Sequence, residues 1–266
     1  MLIIIVAVFL GAALLFIGAW FWLHHRAPGR DFDSNGVRIH YTDEGRGEPV
    51  ILLHGRSGNS DIQWRRWGTI GRLAKDFRVI GMDVRGHGLS GHPHDPQAYG
   101  MEVIDDVVRL MDHLGIEKAH LVGFSMGGLI AMKTAVTHPD RVRTIAFCAA
   151  GWFRPEDLRE PGETIIDLGF RLECLLARAD CHAIDACWHT VKTWGVSESE
   201  LRNCHAPIAL YVGSKDGEVL KALERLKPVY PNLESLVIPR YGHPNLYMSR
   251  QFQEALLDFL LRHRLS

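Results

Sequence analysis

The sequence predicts an α/β fold with a mainly parallel, doubly wound sheet. Short apolar runs that suit buried strands alternate along the chain with longer segments of helical periodicity. The runs at 50–53 and 208–212 are continuously apolar, which is typical of parallel strands covered by helices on both faces. About 240 of the 266 residues follow an apolar N-terminal segment, and this length suits one domain with a substantial core.

The domain begins with a predicted antiparallel hairpin, because residues 32–41 alternate around an Asn35-Gly36 turn. Between 148 and 207, about sixty residues show helical periodicity without a strand pattern. The other predicted elements are, in chain order, a strand at 78–82, a helix at 103–114, a strand ending at 120–122, a helix at 128–136, a strand at 142–149, a strand at 236–239 and a closing helix at 251–262.

A serine lies at a sharp strand-to-helix turn in the run Gly123-Phe124-Ser125-Met126-Gly127. Glycines at both ends avoid collisions where the helix and the strand close on each other. The strained turn between them pushes the serine hydroxyl out above the sheet. Such a glycine pattern is a weak signal by itself, and an ordinary turn serine is the alternative interpretation.

Three further segments follow predicted strand ends. The strand at 50–53 leads into the glycine-containing loop 54–58, whose backbone is expected to approach a ligand closely. Asp216 follows the strand at 208–212, and His243 lies on the loop between the last strand and the closing helix. Because α/β proteins bind ligands at the carboxyl ends of their strands, these groups are candidates for one site.

Together with the loop 83–90, these segments resemble the serine-nucleophile branch of the α/β-hydrolase family, in which the triad order is Ser, Asp, His. The resemblance covers roughly residues 32–266. It implies hydrolysis through an acyl-enzyme, without a metal or an organic cofactor. The implied site residues are Ser125 as nucleophile, His243 as base, Asp216 as the group that orients the base, and the backbone amides of Arg56 and Met126 as the oxyanion hole.

Other polar residues near these motifs are interpreted as structural. Asp106, on the helix before the serine turn, is expected to face solvent. Asp83 and Arg85 are expected to pair and fix their loop, and His54 is expected to organise the loop that follows it. Asp216 itself lies in a Lys-Asp-Gly run that favours turns, so a plain turn role is the alternative there.

The interval 150–206 corresponds to the cap in this family, a helical insertion over the active site. Trp152 and Phe153, which leave a strand end beside the site, are predicted to line the substrate pocket. The alternative is that aromatic residues in this insertion pack its own core. An apolar face toward the triad is predicted from Leu158, Ile165, Leu168, Leu172 and Leu176.

The N-terminal residues 1–24 are predicted to form a transmembrane anchor, because no charged residue occurs between Leu2 and Leu23. About 20 apolar residues in a helix span a hydrocarbon core of about 30 Å. A secretory signal peptide is the alternative, but the run is long and no Lys or Arg precedes it. Residues 25–31 form a tether, and residues 32–149 and 207–266 form the hydrolase core.

Arg26 and Arg30 lie on the catalytic side of the predicted anchor, and the positive-inside rule then places the catalytic domain in the cytoplasm. The cysteines leave the compartment open. Cys148 is expected to be a packed thiol, and the other four cysteines lie within 174–204, where they are either bridged or reduced. A metal site at Cys181, His182, Cys187 and His189 is an alternative whose spacing fits no common zinc pattern.

The net charge is −1 and the basic residues are spread along the chain, so nucleic acid is not an expected partner. The leading hypothesis is a membrane-anchored serine hydrolase that cleaves a small-molecule carboxylic ester, with lipophilic esters among the candidates. A hydrolase of carbon-carbon bonds or lactones is the second hypothesis. A ligand-binding receptor or scaffold with little turnover is the third, and the oligomeric state is left open.

Overall fold

A computed structural model describes residues 27–154, 174 and 179–264. Within them, eight strands form one sheet in the order β1-β2-β4-β3-β5-β6-β7-β8. The first two strands form a hairpin, β2 is antiparallel to β4, and the remaining pairs are parallel. The strands are β1 Arg30–Ser34, β2 Val37–Gly45, β3 Pro49–Leu53, β4 Arg78–Met82, β5 Ala119–Phe124, β6 Val142–Cys148, β7 Ile208–Gly213 and β8 Glu234–Ile238.

Helices connect the strands and cover the sheet. The described α-helices are α1 Thr69–Leu73, α2 Glu102–His113, α3 Met126–Thr137, α4 Cys181–Val191, α5 Glu198–Arg202, α6 Gly217–Val229 and α7 Arg250–Arg262. A π-helical segment Asp61–Arg65 follows β3, and short 3₁₀ segments lie at Pro96–Ala98, Pro139–Arg141 and His243–Met248. The predicted hairpin and the predicted mainly parallel sheet are confirmed, with element ends shifted by a few residues at most.

The hairpin forms because its two turn residues tolerate a left-handed backbone. Asn35 and Gly36 have φ values of 54° and 82°, and they connect Ser34 to Val37, the last pair in the β1–β2 register. Positive φ at both central positions is what a tight two-residue hairpin turn needs.

The core lies on both faces of the sheet. Along β3, Ile51 and Leu53 belong to one apolar cluster, whereas Val50 and Leu52 belong to another. Successive side chains of a strand point to opposite faces, so the continuously apolar sequence of β3 reflects burial on both sides. Helices α2, α3 and α6 contribute to the first cluster, and helices α1 and α7 contribute to the second.

The predicted transmembrane helix is the part of the fold class that needs correction. Across 27–154 and 179–264, no helix is long and apolar enough to cross a membrane. Helices α6 and α7 have 13 residues each, which at 1.5 Å per residue is about 20 Å, against a hydrocarbon core of about 30 Å. The segment 1–24 lies outside the described residues. The predicted fold class with a membrane helix, and the single-pass membrane location derived from it, are wrong as stated.

The prediction that Asp106 faces solvent is also wrong. Asp106 is fully buried and pairs with Arg85, whose Nη2 and Nε each lie 2.6 Å from a carboxylate oxygen. The hydroxyl of Ser34 donates to the same carboxylate at 2.6 Å. Helical spacing puts Asp106 on the face of α2 that buries Val103 and Leu110, and the pairing with Arg85 offsets the cost of burying its charge.

The described part of the predicted cap contains α4 and α5 and no strand. The five predicted cap residues from Leu158 to Leu176 lie outside the described residues.

All five cysteines are described and are free thiols. No group of three or more histidine, cysteine and carboxylate side chains in the described chain is arranged to hold a metal ion.

Candidate active site

Ser125 lies at the turn between β5 and α3 in a strained backbone conformation, with φ 49° and ψ −115°. A Cβ atom at Gly123 would collide with the backbone of Gly127, and one at Gly127 would collide with the backbone of Leu53. The two glycines therefore permit the close approach of helix and strand that creates the turn. The amide of Ser125 donates to the carbonyl of Cys148 at 3.0 Å, which fixes the turn against the end of β6.

The structure brings Ser125, His243 and Asp216 together, although Ser125 and His243 are 118 positions apart in the chain. His243 Nε2 lies 2.9 Å from Ser125 Oγ, and His243 Nδ1 lies 2.8 Å from Asp216 Oδ2. Because a carboxylate only accepts hydrogen bonds, Nδ1 carries the proton of the neutral ring and Nε2 accepts from the serine hydroxyl. The Asp216 side chain is 6% exposed, and that of His243 is 46% exposed.

Contacts between the loops after β7 and β8 bring the aspartate to the histidine. The amides of Ser214 and Lys215 donate to the carbonyls of Ile238 and Tyr241 at 2.9 Å each. A side chain at Gly213 would collide with the backbone of Tyr241. Asp216 is also the N-cap of α6, a position at which the helix dipole favours a negative charge.

His54 organises the loop after β3, as the sequence predicted. His54 is fully buried, its Nδ1 donates to the carbonyl of Gly55 at 2.8 Å, and its Nε2 accepts from the amide of Val84 at 3.0 Å. The amide of Gly55 donates to Gln63 Oε1 at 2.8 Å. These bonds join the ends of β3 and β4 and set the course of the loop that contains Arg56.

The predicted pairing of Asp83 with Arg85 is wrong, because Arg85 pairs with Asp106. Asp83 nevertheless fixes its surroundings, since its carboxylate accepts from the amides of Ser60 and Leu89 at 2.8 and 2.9 Å. Asp83 thereby connects the loop after β3 to the loop after β4.

A buried histidine, His87, lies in the loop after β4. Its burial, together with the proximity of His54, lowers the pKa of His87 to about 3.

The predicted oxyanion amides occupy suitable backbone positions. Met126 is the first residue of α3, and the first amides of a helix have no acceptor within the helix. Arg56 follows Gly55 at the carboxyl end of β3. Their catalytic role stays a prediction.

One aromatic residue of the site was missed in the sequence. The ring of Phe124 lies 5.6 Å from that of His243 and 5.1 Å from that of Tyr247. Phe124 also contacts the loop after β3, because a Cβ atom at Gly55 would come within 2.7 Å of its ring. A large aromatic residue directly before the serine was the signal that could have indicated this contact.

Trp152 lies within the core cluster that includes α3. It is 2% exposed, and its indole Nε1 donates to the carbonyl of Val196 at 2.7 Å. The carbonyl of Phe153 accepts from the amide of Val196 at 3.1 Å. These contacts join the end of β6 to the segment between α4 and α5. Pocket lining by Trp152 and Phe153 stays a prediction.

Residues 48–180, half of the chain, match the sequence profile of the alpha/beta hydrolase fold. The chain belongs to this family. Its hydrolase relatives include the 2-hydroxymuconate semialdehyde hydrolase of Pseudomonas sp. (strain CF600), which is 42% identical over 119 residues, 44% of this chain and 41% of that protein. The chain thus spans less than half the length of this curated relative.

Two solved structures of the family cover most of the chain. A carboxylesterase from the thaumarchaeon Nitrososphaera gargenis is 25% identical, with a TM-score of 0.73 over 89% of this chain and 98% of that one. An N-acyl homoserine lactone degrading enzyme is 27% identical, with a TM-score of 0.71 over 86% of this chain and 100% of that one. These similarities support a hydrolase activity for this chain. They do not identify the bond that it cleaves, because the two similar enzymes act on different substrates.

Proposed function

We propose that this protein is a serine hydrolase that cleaves a carboxylic ester through an acyl-enzyme on Ser125. The observation that carries the proposal is the continuous pair of hydrogen bonds from Ser125 Oγ through His243 to Asp216, at 2.9 and 2.8 Å. A serine hydroxyl is a weak nucleophile until an adjacent base removes its proton. His243 is within the distance that this transfer needs.

In the proposed reaction, His243 Nε2 takes the serine proton as Oγ attacks the ester carbonyl, and then delivers it to the leaving alcohol. Asp216 holds the imidazole in the required tautomer and stabilises the imidazolium. The amides of Arg56 and Met126 bind the oxyanion, and each such donor typically lowers the barrier by about 2.7–4 kcal/mol. Water activated by the same histidine then releases the acid from Ser125.

A fluorophosphonate probe tests this assignment, because it reacts with an activated serine and does not label a ligand-binding protein that lacks one. We expect labelling of the wild type and of Ser199→Ala, a control on the exposed surface of α5. Ser125→Ala is expected to lose both labelling and ester hydrolysis, by about 10⁴-fold or more in kcat. Esterase activity close to wild type in folded Ser125→Ala would end the proposal.

Cleavage of a carbon-carbon bond or a lactone is the second candidate. Similarity to a 2-hydroxymuconate semialdehyde hydrolase and to a lactone-degrading enzyme favours it. The same triad serves these reactions, so substrate panels have to separate them. A kcat/KM for N-acyl homoserine lactones above that for every p-nitrophenyl ester of a graded chain-length series would favour the lactone reaction.

A further inference from the structure

The ring of Phe124 contacts two residues of the 3₁₀ segment that contains His243. Its centroid lies 5.6 Å from that of the His243 ring, with the two planes inclined at 54°, and 5.1 Å from that of the Tyr247 ring, with the planes at 87°. Aromatic rings attract each other at both distances. His243 begins the segment His243–Met248, and Tyr247 lies four residues later, so one side chain holds this segment at two points.

Phe124 is itself firmly placed. It is the last residue of β5, is 6% exposed and belongs to the second core cluster, to which α1 and α7 contribute. Tyr247 packs against the same cluster and in turn contacts the ring of Trp67, at 6.4 Å between centroids. The His243 side chain, by contrast, is 46% exposed. Phe124 therefore connects a half-exposed imidazole to the body of the protein.

The hydrogen bonds of His243 do not restrain its ring in every direction. The N–H group and the lone pair of an imidazole point within the plane of the ring. The bonds to Asp216 and Ser125, at 2.8 and 2.9 Å, therefore hold His243 chiefly within that plane. The Phe124 ring, inclined to the same plane, opposes a tilt out of it.

This contact matters most in the acyl-enzyme. Once Ser125 Oγ is bonded to the acyl carbon, it has no proton to donate to His243 Nε2, so one of the two bonds is lost. The bond to Asp216 and the contact with Phe124 remain. In deacylation, Nε2 takes a proton from water as the water oxygen attacks the acyl carbonyl. Nε2 then returns the proton to Oγ as the bond between Oγ and the acyl carbon breaks and the acid leaves.

Resting on the proposed esterase function, we propose that Phe124 is a positioning residue that holds the His243 ring in place for hydrolysis of the acyl-enzyme. Its loss slows deacylation more than acylation, because the bond between Ser125 and His243 still helps to place the ring during acylation. Phe124 also contacts the loop after β3 at Gly55, so support of the predicted oxyanion hole is the competing role. Both steps pass through an oxyanion, and a displaced loop would slow both about equally.

Rapid-quench mass spectrometry with p-nitrophenyl butyrate tests the proposal, because it follows the formation and the decay of the butyryl-enzyme separately. Phe124→Leu keeps an apolar side chain and removes the ring. It is expected to slow deacylation by about 10- to 100-fold, and by at least about threefold more than acylation, since a displacement of about 1 Å can cost this much. Phe124→Tyr keeps the ring and should keep the wild-type balance of the two steps.

Phe77→Leu is the matched control, because Phe77 is fully buried and its ring lies 5.8 Å from that of His120, away from the triad. It should leave the balance unchanged. Losses in folded Phe124→Leu that are equal for the two steps would overturn the proposal. If Phe124→Leu does not fold, Tyr247→Leu, which removes the ring behind Phe124, should shift the balance in the same direction, and an unchanged balance would overturn it.

If wild type forms no butyryl-enzyme, the esterase function fails, and the imidazole itself decides the positioning role. The His243 Nδ1 proton that Asp216 accepts should give a low-field proton NMR signal. We expect this signal to be sharp in wild type and in Phe77→Leu, and to be broadened by exchange with water in Phe124→Leu. A signal equally sharp in Phe124→Leu and in wild type, or none in wild type, would refute the positioning role.

Discussion

Replacing Asp216 with asparagine tests the proposed proton transfer with a minimal change of shape. Asp216 Oδ2 accepts from His243 Nδ1 at 2.8 Å, which leaves Nε2 to accept the proton of Ser125 at 2.9 Å. An asparagine amide group can donate to Nδ1 and so favour the tautomer that carries its proton on Nε2. That ring cannot act as the base. We expect kcat to fall about 10⁴-fold, as the same change does in a serine protease triad, which corresponds to about 5 kcal/mol.

Hydrolysis of p-nitrophenyl butyrate at neutral pH measures this loss, and a thermal melt shows whether the fold is kept. Asparagine caps helices as well as aspartate does, so α6 should remain intact. Glu218→Gln is the control, since that side chain is 80% exposed in the first turn of α6, and it should retain wild-type activity. A folded Asp216→Asn variant with kcat within tenfold of wild type would refute the proposed role of Asp216.

Two further predictions concern stability. Asp106→Ala is expected to lower the free energy of unfolding by about 3–5 kcal/mol. It removes both 2.6 Å bonds to the buried Arg85 guanidinium and leaves it only the longer, 3.6 Å ion pair with Glu102. Urea titration should show most of the loss recovered in the double variant with Arg85→Met and Asp106→Leu, and a loss under about 1 kcal/mol in the single variant would contradict the prediction. His120 should contribute about 3 kcal/mol to the stability lost between about pH 6.5 and pH 4, because burial lowers the pKa of folded His120 to about 4 while the unfolded residue binds its proton near pH 6.5. The lowered pKa of buried His87 adds a loss of the same sign. A pH series of urea titrations should show a shallower loss in His120→Gln than in wild type, and an unchanged slope would refute the contribution of His120.

The sequence predicted the parts of this protein that depend on local pattern. Burial on both faces makes β3 and β7 continuously apolar, and the Asn35-Gly36 pair permits the backbone of its hairpin. The two glycines around Ser125 are required by contacts with backbone only a few positions away or on an adjacent strand. Each of these features leaves a short signature that can be recognised without knowledge of the rest of the chain.

Contacts between distant segments were decided by the tertiary structure. The sequence could not distinguish Asp216 in a turn from Asp216 bonded to His243, because that bond depends on two loops packing after β7 and β8. It also assigned Asp106 to the surface, since a carboxylate is buried only when a partner is near, and its partner Arg85 lies 21 positions away. A contact of Arg56 with Trp188 likewise joins two segments that are distant in the chain. Side-chain chemistry determined what each residue can do, and packing of the sheet and its loops determined which residues meet.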